Sequence, residues 1–186
     1  MKRRPGDDFT IDGFFCYMRN YREADLYRCE SDAETIIVPE KAEKYRVVLT
    51  EPIFKDLPNL RHLIFEPGVQ IARRILDMSE SFCPVRNCPN LETVTLPDRF
   101  DAEDVVLEPE GCPAFKGYIA RPESENYLSE NGCLYHKKED GTTELVHCAD
   151  PKERMRLARE MVEEMTDEEL EELTENCIAL LDQIGL

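Results

Sequence analysis

The chain has 186 residues, 41% hydrophobic and 34% charged, which is enough apolar content to bury the core of one domain with an appendage and too much for a disordered chain. Asp and Glu outnumber Lys and Arg by 40 to 23, for a formal charge of −17. A surface of that sign disfavours direct binding to nucleic acid or anionic lipid, and it suits a protein partner that presents a basic face.

The N-terminus, Met1-Lys2-Arg3-Arg4-Pro5-Gly6-Asp7-Asp8, has no apolar signal segment, and no run of about 18 apolar residues follows it. A cytoplasmic location without membrane attachment is therefore expected. The eight cysteines (16, 29, 83, 88, 112, 133, 148 and 177) are scattered, and in a reducing compartment they are expected to be free thiols. A Cys83–Cys88 bridge is the best-placed exception.

In chain order, the first informative segments repeat one another. Glu34-Thr35-Ile36-Ile37-Val38-Pro39-Glu40 matches Glu92-Thr93-Val94-Thr95-Leu96-Pro97-Asp98. Between them, Leu57-Pro58-Asn59-Leu60-Arg61-His62-Leu63-Ile64-Phe65 matches Cys88-Pro89-Asn90-Leu91-Glu92-Thr93-Val94-Thr95-Leu96. The common pattern, Pro-Asn-Leu followed by alternating apolar positions, predicts a turn leading into a short strand with one face inward. Asn59 and Asn90 sit where an amide can hydrogen-bond exposed turn backbone. Pro39 and Pro97 remove a ladder donor and end their strands. Each unit is too small to bury its own apolar face, so stacking has to complete the core. Ile36, Leu63, Val94 and Ile119 are expected to share one inward layer.

Farther along, Gly132–Lys137 and Glu144–Cys148 flank an Asp140-Gly141 turn, which predicts a hairpin with Cys133 opposite or diagonal to Cys148. At Asp150-Pro151 the composition changes and a helix is predicted to start, with apolar positions Met155, Ala158, Met161, Val162 and Met165. Thr166-Asp167-Glu168-Glu169 reads as a capping box opening a second helix, whose stripe is Leu170, Leu173, Cys177, Leu180, Leu181 and Ile184. Two amphipathic helices joined this tightly form a helical hairpin, which either covers the open end of the repeats or docks on another chain.

The segment Ile53-Phe54-Lys55-Asp56-Leu57-Pro58-Asn59-Leu60 resembles the repeat signature of BspA-type leucine-rich-repeat proteins. Ile36-Ile37-Val38-Pro39-Glu40 is similar to that family's strand, and Ala114-Phe115-Lys116-Gly117 to the aromatic position of a last repeat. Asn126-Tyr127-Leu128-Ser129-Glu130-Asn131-Gly132-Cys133-Leu134-Tyr135 resembles its closing hairpin, and Phe9-Thr10-Ile11-Asp12-Gly13 fits an opening one. Val85 stands where the family has an aromatic, and Ile119 lacks a preceding Pro-Asn-Leu. The resemblance implies an α+β chain: residues 1–149 as a short, irregular leucine-rich-repeat solenoid with stacked strands and terminal hairpins, and residues 150–186 as an acidic αα-hairpin closing it. The alternative is an ordinary small mixed α/β domain in which two Pro-Asn-Leu turns coincide.

Chemistry-bearing motifs are sparse. Cys133, His136, His147 and Cys148 could offer four zinc ligands on one hairpin, but alternation sends Cys133 and His136 to opposite faces. No nucleophile motif surrounds His62, His136 or His147, and no glycine-rich phosphate loop occurs. No catalytic residue, metal site or cofactor is expected. The reading is a non-enzymatic protein-interaction scaffold with His62, Ile64, Thr93 and Thr95 on its solvent-facing strand positions. A second element is the helical run from Glu160 to Glu175, with nine acidic residues and no basic one, in which Glu164, Glu168, Glu171, Glu172 and Glu175 form an anionic ridge. The alternative is an acidic decoy or inhibitor that occupies a partner's basic, nucleic-acid-binding groove.

Overall fold

A computed structural model of the chain describes residues 3–50, 53–71, 85–98, 100, 109–171, 173 and 174. The chain divides into two compact units, Met1–Ala149 and Asp150–Leu186. Among the described residues, the regular elements of the first are all strands, and helix occurs in the second.

The first unit opens with β1 (Asp8–Ile11) and β2 (Phe14–Met18), an antiparallel hairpin whose turn residues Asp12 and Gly13 both take positive φ. Such a two-residue turn matches the natural twist of paired strands. β3 (Glu23–Cys29) pairs antiparallel with β2, and β4 (Thr35–Val38) begins a different sheet. The chain continues through β5 (Lys41–Ala42), β6 (Tyr45–Leu49), β7 (Phe54–Lys55), β8 (His62–Phe65) and β9 (Gln70–Ile71). After residues 72–84 come β10 (Val85–Arg86), β11 (Thr93–Thr95) and β12 (Gly117–Ile119). The unit ends in an antiparallel meander of β13 (Tyr127–Glu130), β14 (Cys133–Lys137) and β15 (Thr143–Cys148).

Three of the four sheets contain parallel pairs, and the chain visits them in a fixed order. β6 lies in the first sheet between β3 and β9, parallel to both; β7 pairs parallel with β10; β8 pairs parallel with β4 and β11. β9, β10 and β11 then repeat the same circuit one step along. Parallel neighbours cannot be joined by a tight hairpin, so a circuit through other sheets is one way for a chain to lay successive strands side by side.

In the four-stranded sheet, Ile36, Leu63, Val94 and Tyr118 are successive register partners, each no more than 5% exposed. The first three lie where their alternation predicts. The fourth is a correction: Tyr118 takes the inward place and Ile119, expected there, is 41% exposed. The reason is a repeat that the missing Pro-Asn-Leu conceals. Cys112-Pro113-Ala114-Phe115 occupies the place of Cys88-Pro89-Asn90-Leu91, so counting from Pro113 brings position 118 inward.

The turns before these strands stack as closely as the strands do. Asp56, Asn87 and Gly111 all take left-handed φ at the same place in three successive circuits. The Asp56 amide donates to the Arg86 carbonyl, and the Asn87 amide to that of Glu110. A Cβ on Gly111 would lie 2.4 Å from Asn87 Oδ1, so the third turn closes against the second only with glycine there. The recurring side-chain amides also act between circuits: Asn59 Nδ2 donates to the Asp32 carbonyl, and Asn90 Nδ2 to that of Pro58. Leu57, Cys88 and Cys112, then Leu60 and Leu91, line the interior behind these turns, and Phe54 meets Phe65 edge to face at 5.9 Å.

A second correction concerns the thiols. The register of β14 against β15 sets Cys133 directly opposite Cys148, and the two form a disulfide. Cys16, Cys29, Cys88 and Cys112 are free and buried. Because Cys88 is a free thiol, it is not bridged to Cys83; Cys83 and Cys177 lie outside the described residues. The free-thiol expectation followed from the assumed compartment, whereas the pairing follows from hairpin register.

In the second unit, α1 (Pro151–Glu164) starts as its sequence predicts, with Asp150 as N-cap accepting from the Lys152 amide and proline in the first turn. A new helical stretch begins at residue 167. Its capping box is complete, for the Thr166 amide donates to Glu169 Oε2 at 2.8 Å and the Glu169 amide to Thr166 Oγ1 at 3.3 Å. Met155, Ala158, Met161 and Val162 are exposed and Met165 is half-buried. The remaining stripe positions Cys177, Leu180, Leu181 and Ile184 lie outside the described residues.

Candidate functional site

The face of the four-stranded sheet opposite the core is built by strict alternation. With Ile36, Leu63, Val94 and Tyr118 inward, their neighbours must point outward. One outer row is Thr35, His62 and Thr93, ending at Gly117, which is buried against Gly132; the next is Ile37, Ile64, Thr95 and Ile119. His62, Ile64, Thr93 and Thr95 are thus brought together on one surface, as adjacent register pairs, and each is half-buried. His62 Nδ1 lies 2.9 Å from Thr93 Oγ1, which orients the imidazole along the row.

Sequence reasoning missed the two most prominent residues of that surface. Ile37 is 55% exposed and Ile119 is 41% exposed, so the second row is aliphatic at three positions of four. Ile37 was accessible from alternation beside Ile36; Ile119 required recognising the Pro113 repeat.

The row is bordered by charge of alternating sign. Glu34, Arg61, Glu92 and Lys116 occupy the positions just before these strands, and their backbones are linked: the Arg61 amide donates to Glu34 O, that of Glu92 to Arg61 O and that of Lys116 to Glu92 O. Arg61 pairs with Glu92 and, at 4.0 Å, with Glu34, while Lys116 pairs with the other oxygen of Glu92. Hydrogen bonds from Lys116 and Arg61 hold the Glu92 carboxyl down at about 2, below its ordinary 4.5. At the far border, Glu66 Oε2 accepts from the Glu40 amide and Arg121 Nη2 donates to the Phe65 carbonyl. The charges next to the apolar row are engaged within the sheet, and the two outer rows they enclose hold no Asp, Glu, Lys or Arg.

The acidic positions fall in the other unit. Glu164 is the last residue of α1, and Glu168 and Glu171 belong to the following helical stretch; all three are exposed. Glu172 and Glu175 lie outside the described residues. The last turn of α1 has no basic residue to balance the helix dipole, so Glu163 and Glu164 sit at its unfavourable end.

Histidines and thiols on the terminal meander do not converge. His147 is buried against Phe115 and Tyr118, His136 is exposed and stacks near Tyr127, and Cys133 and Cys148 are joined to each other. Among the described residues, no group of three or more His, Cys, Asp or Glu side chains is gathered to hold a metal ion. Among them, too, no helix is long and apolar enough to cross a membrane.

No family model matches the chain, and no curated protein matches it. Among solved structures, it is similar to a leucine rich cell surface protein from Faecalibacterium prausnitzii A2-165, with 12% identity and a TM-score of 0.22. The match covers 78% of this chain and 63% of that one. A likeness of that extent assigns neither fold nor function.

Proposed function

We propose that residues 1–149 form a short leucine-rich-repeat solenoid of the BspA type, acting as a non-enzymatic scaffold that binds a protein through the outer face of its parallel sheet. The observation that carries this reading is the exposed aliphatic row Ile37, Ile64 and Ile119, with Thr95 in line, on a face whose neighbouring charges are already paired. Isolated exposed apolar side chains are ordinary, but a row across four strands is a ready contact surface. Hydrogen-bonded pairing holds the row in register, so binding there costs little ordering. The net charge of −17 favours a partner whose rim around an apolar centre is basic. A cytoplasmic setting and the absence of a bound cofactor remain part of this proposal.

The test is proximity cross-linking in native extract with the full chain, beside two face variants, Ile64→Asp and Ile119→Asp, and a helix variant, Glu168→Lys with Glu171→Lys. A partner cross-linked by the parent and the helix variant, and lost from both face variants while their unfolding midpoints stay near the parent's, supports the sheet face. Retention by the face variants and loss on charge reversal in the helix would replace it with the anionic-decoy reading, which also requires capture to weaken steeply with salt.

A further inference from the structure

Cys88 and Cys112 do not take part in the proposed contact surface, yet they are placed for chemistry with one another. They hold the same position in consecutive circuits, each one residue after a left-handed turn residue, Asn87 or Gly111. The backbone joins the two turns through the Asn87 amide and the Glu110 carbonyl at 2.8 Å. The next amide, that of Cys88, donates to Cys112 Sγ at 3.4 Å. A disulfide needs Cα atoms about 4.4–6.8 Å apart, a range that backbones joined by a direct amide-to-carbonyl bond can meet. Side chains at one register position of adjacent turns also point the same way.

We propose that Cys88 and Cys112 are a dithiol site for a hydroperoxide oxidant, closing to a disulfide that fastens the second turn to the third. The two sulfurs have different parts in the step. Cys112 is 7% exposed and lies between exposed residues at Gly111 and Pro113, whereas Cys88 is wholly buried. The Cys88 thiol beside it and the Cys88 amide, which donates to Cys112 Sγ, both lower Cys112 from its ordinary range, while the same contact and burial push Cys88 up. Cys112 therefore attacks first. Its thiolate breaks the O–O bond of hydrogen peroxide, forming a sulfenic acid and releasing hydroxide, which takes up a proton as water. The Cys88 sulfur then attacks the Cys112 sulfur; the S–O bond breaks, a second water leaves with the Cys88 proton, and the S–S bond forms. In sum, two thiols are oxidised and one peroxide is reduced to two waters. The Cys88 thiol donates to the Phe54 and Arg86 carbonyls and turns from them to reach Cys112, whose sulfur already meets the Cys88 amide.

The experiment uses the full chain, folded and free of added thiol. Hydrogen peroxide is added and removed with catalase, the protein is unfolded in N-ethylmaleimide, and its tryptic peptides are read by mass spectrometry. Cleavage at Arg86, Arg99 and Lys116 separates Cys83, Cys88 and Cys112 onto different peptides. The expected result is a reductant-sensitive link between peptides 87–99 and 100–116, forming faster as pH rises. In Cys112→Ser, the link is absent and Cys88 is recovered as a thiol. Recovery of both Cys88 and Cys112 as maleimide adducts would overturn the proposal, as would a Cys83–Cys88 link or the same link at equal rate in urea-unfolded chain.

Discussion

Leu63 and Ile64 are adjacent residues that ought to respond oppositely to truncation. Leu63 is fully buried between Ile36 and Val94, while Ile64 points outward between Ile37 and Thr95. Leu63→Ala deletes three carbons, worth about 2.4 kcal/mol in transfer at ~0.8 kcal/mol per buried methylene. The neighbours belong to paired strands and collapse little, so a cavity contribution brings the loss to about 3–4 kcal/mol. Ile64→Thr keeps the β-branch that suits a strand, and its neighbour in the same row, Thr95, is already threonine; its cost is about 0.5 kcal/mol or less. Urea unfolding followed by far-UV circular dichroism separates them. With a slope of about 2 kcal/mol per M, Leu63→Ala lowers the midpoint by roughly 1.5–2 M and Ile64→Thr by about 0.3 M or less. Equal losses in the two variants, or a Leu63→Ala loss below about 1 kcal/mol, would mean that the strand does not present its faces in this register, and the proposed contact surface would go with it.

Gly111→Ala places a methyl 2.4 Å from Asn87 Oδ1 at a φ of +69°, and should cost about 1–3 kcal/mol in the same unfolding assay. Asn87→Ala added to it should restore only part of the loss, because Asn87 Cα itself lies 3.1 Å from that methyl. Cleaving the Cys133–Cys148 disulfide, which closes a separation of 15 residues, should lower stability by up to about 3 kcal/mol, read as the midpoint difference between chain kept oxidised and chain in reductant. For Glu92, a carboxyl held at about 2 in the folded chain against an ordinary 4.5 contributes stability that is complete above about pH 4.5 and is lost as pH falls through about 2. The gap in urea midpoint between the parent and Glu92→Gln should therefore narrow on acidification across that window; a gap that widens would contradict the ion-pair geometry.

The parts legible from sequence are those in which one short pattern carries the physical instruction. Pro58-Asn59-Leu60 and Pro89-Asn90-Leu91 announce both the turn and the phase of the strand after it, so Leu63 and Val94 fall inward without further information. Asp12-Gly13, Asn131-Gly132 and the Thr166–Glu169 box are equally local. The parallel pairing of β3, β6 and β9 was not legible. β6 reads Tyr45-Arg46-Val47-Val48-Leu49, buried at four positions of five, and a strand covered on both faces loses the alternation that marks a strand. β9 has two residues, too few to show a period. The Cys133–Cys148 link was half-legible: hairpin register brings the pair together, but spacing alone carries no sign of oxidation. For the outer face, Ile64 and Thr95 follow from alternation, whereas Ile119 depends on a third Pro turn whose asparagine and leucine have become Ala114 and Phe115.

The alternating row Glu34, Arg61, Glu92, Lys116 has a consequence for how such a chain can grow. A duplicated circuit inserted between β8 and β11 would set its own border residue beside both Arg61 and Glu92. Whichever charge it carried, one of those neighbours would share its sign, and like charges directly opposite are destabilising. Two inserted circuits of opposite sign, or one with a neutral residue, would avoid the conflict. Circuits with charged border residues should thus be added in pairs, whereas one with a neutral border residue can be added singly.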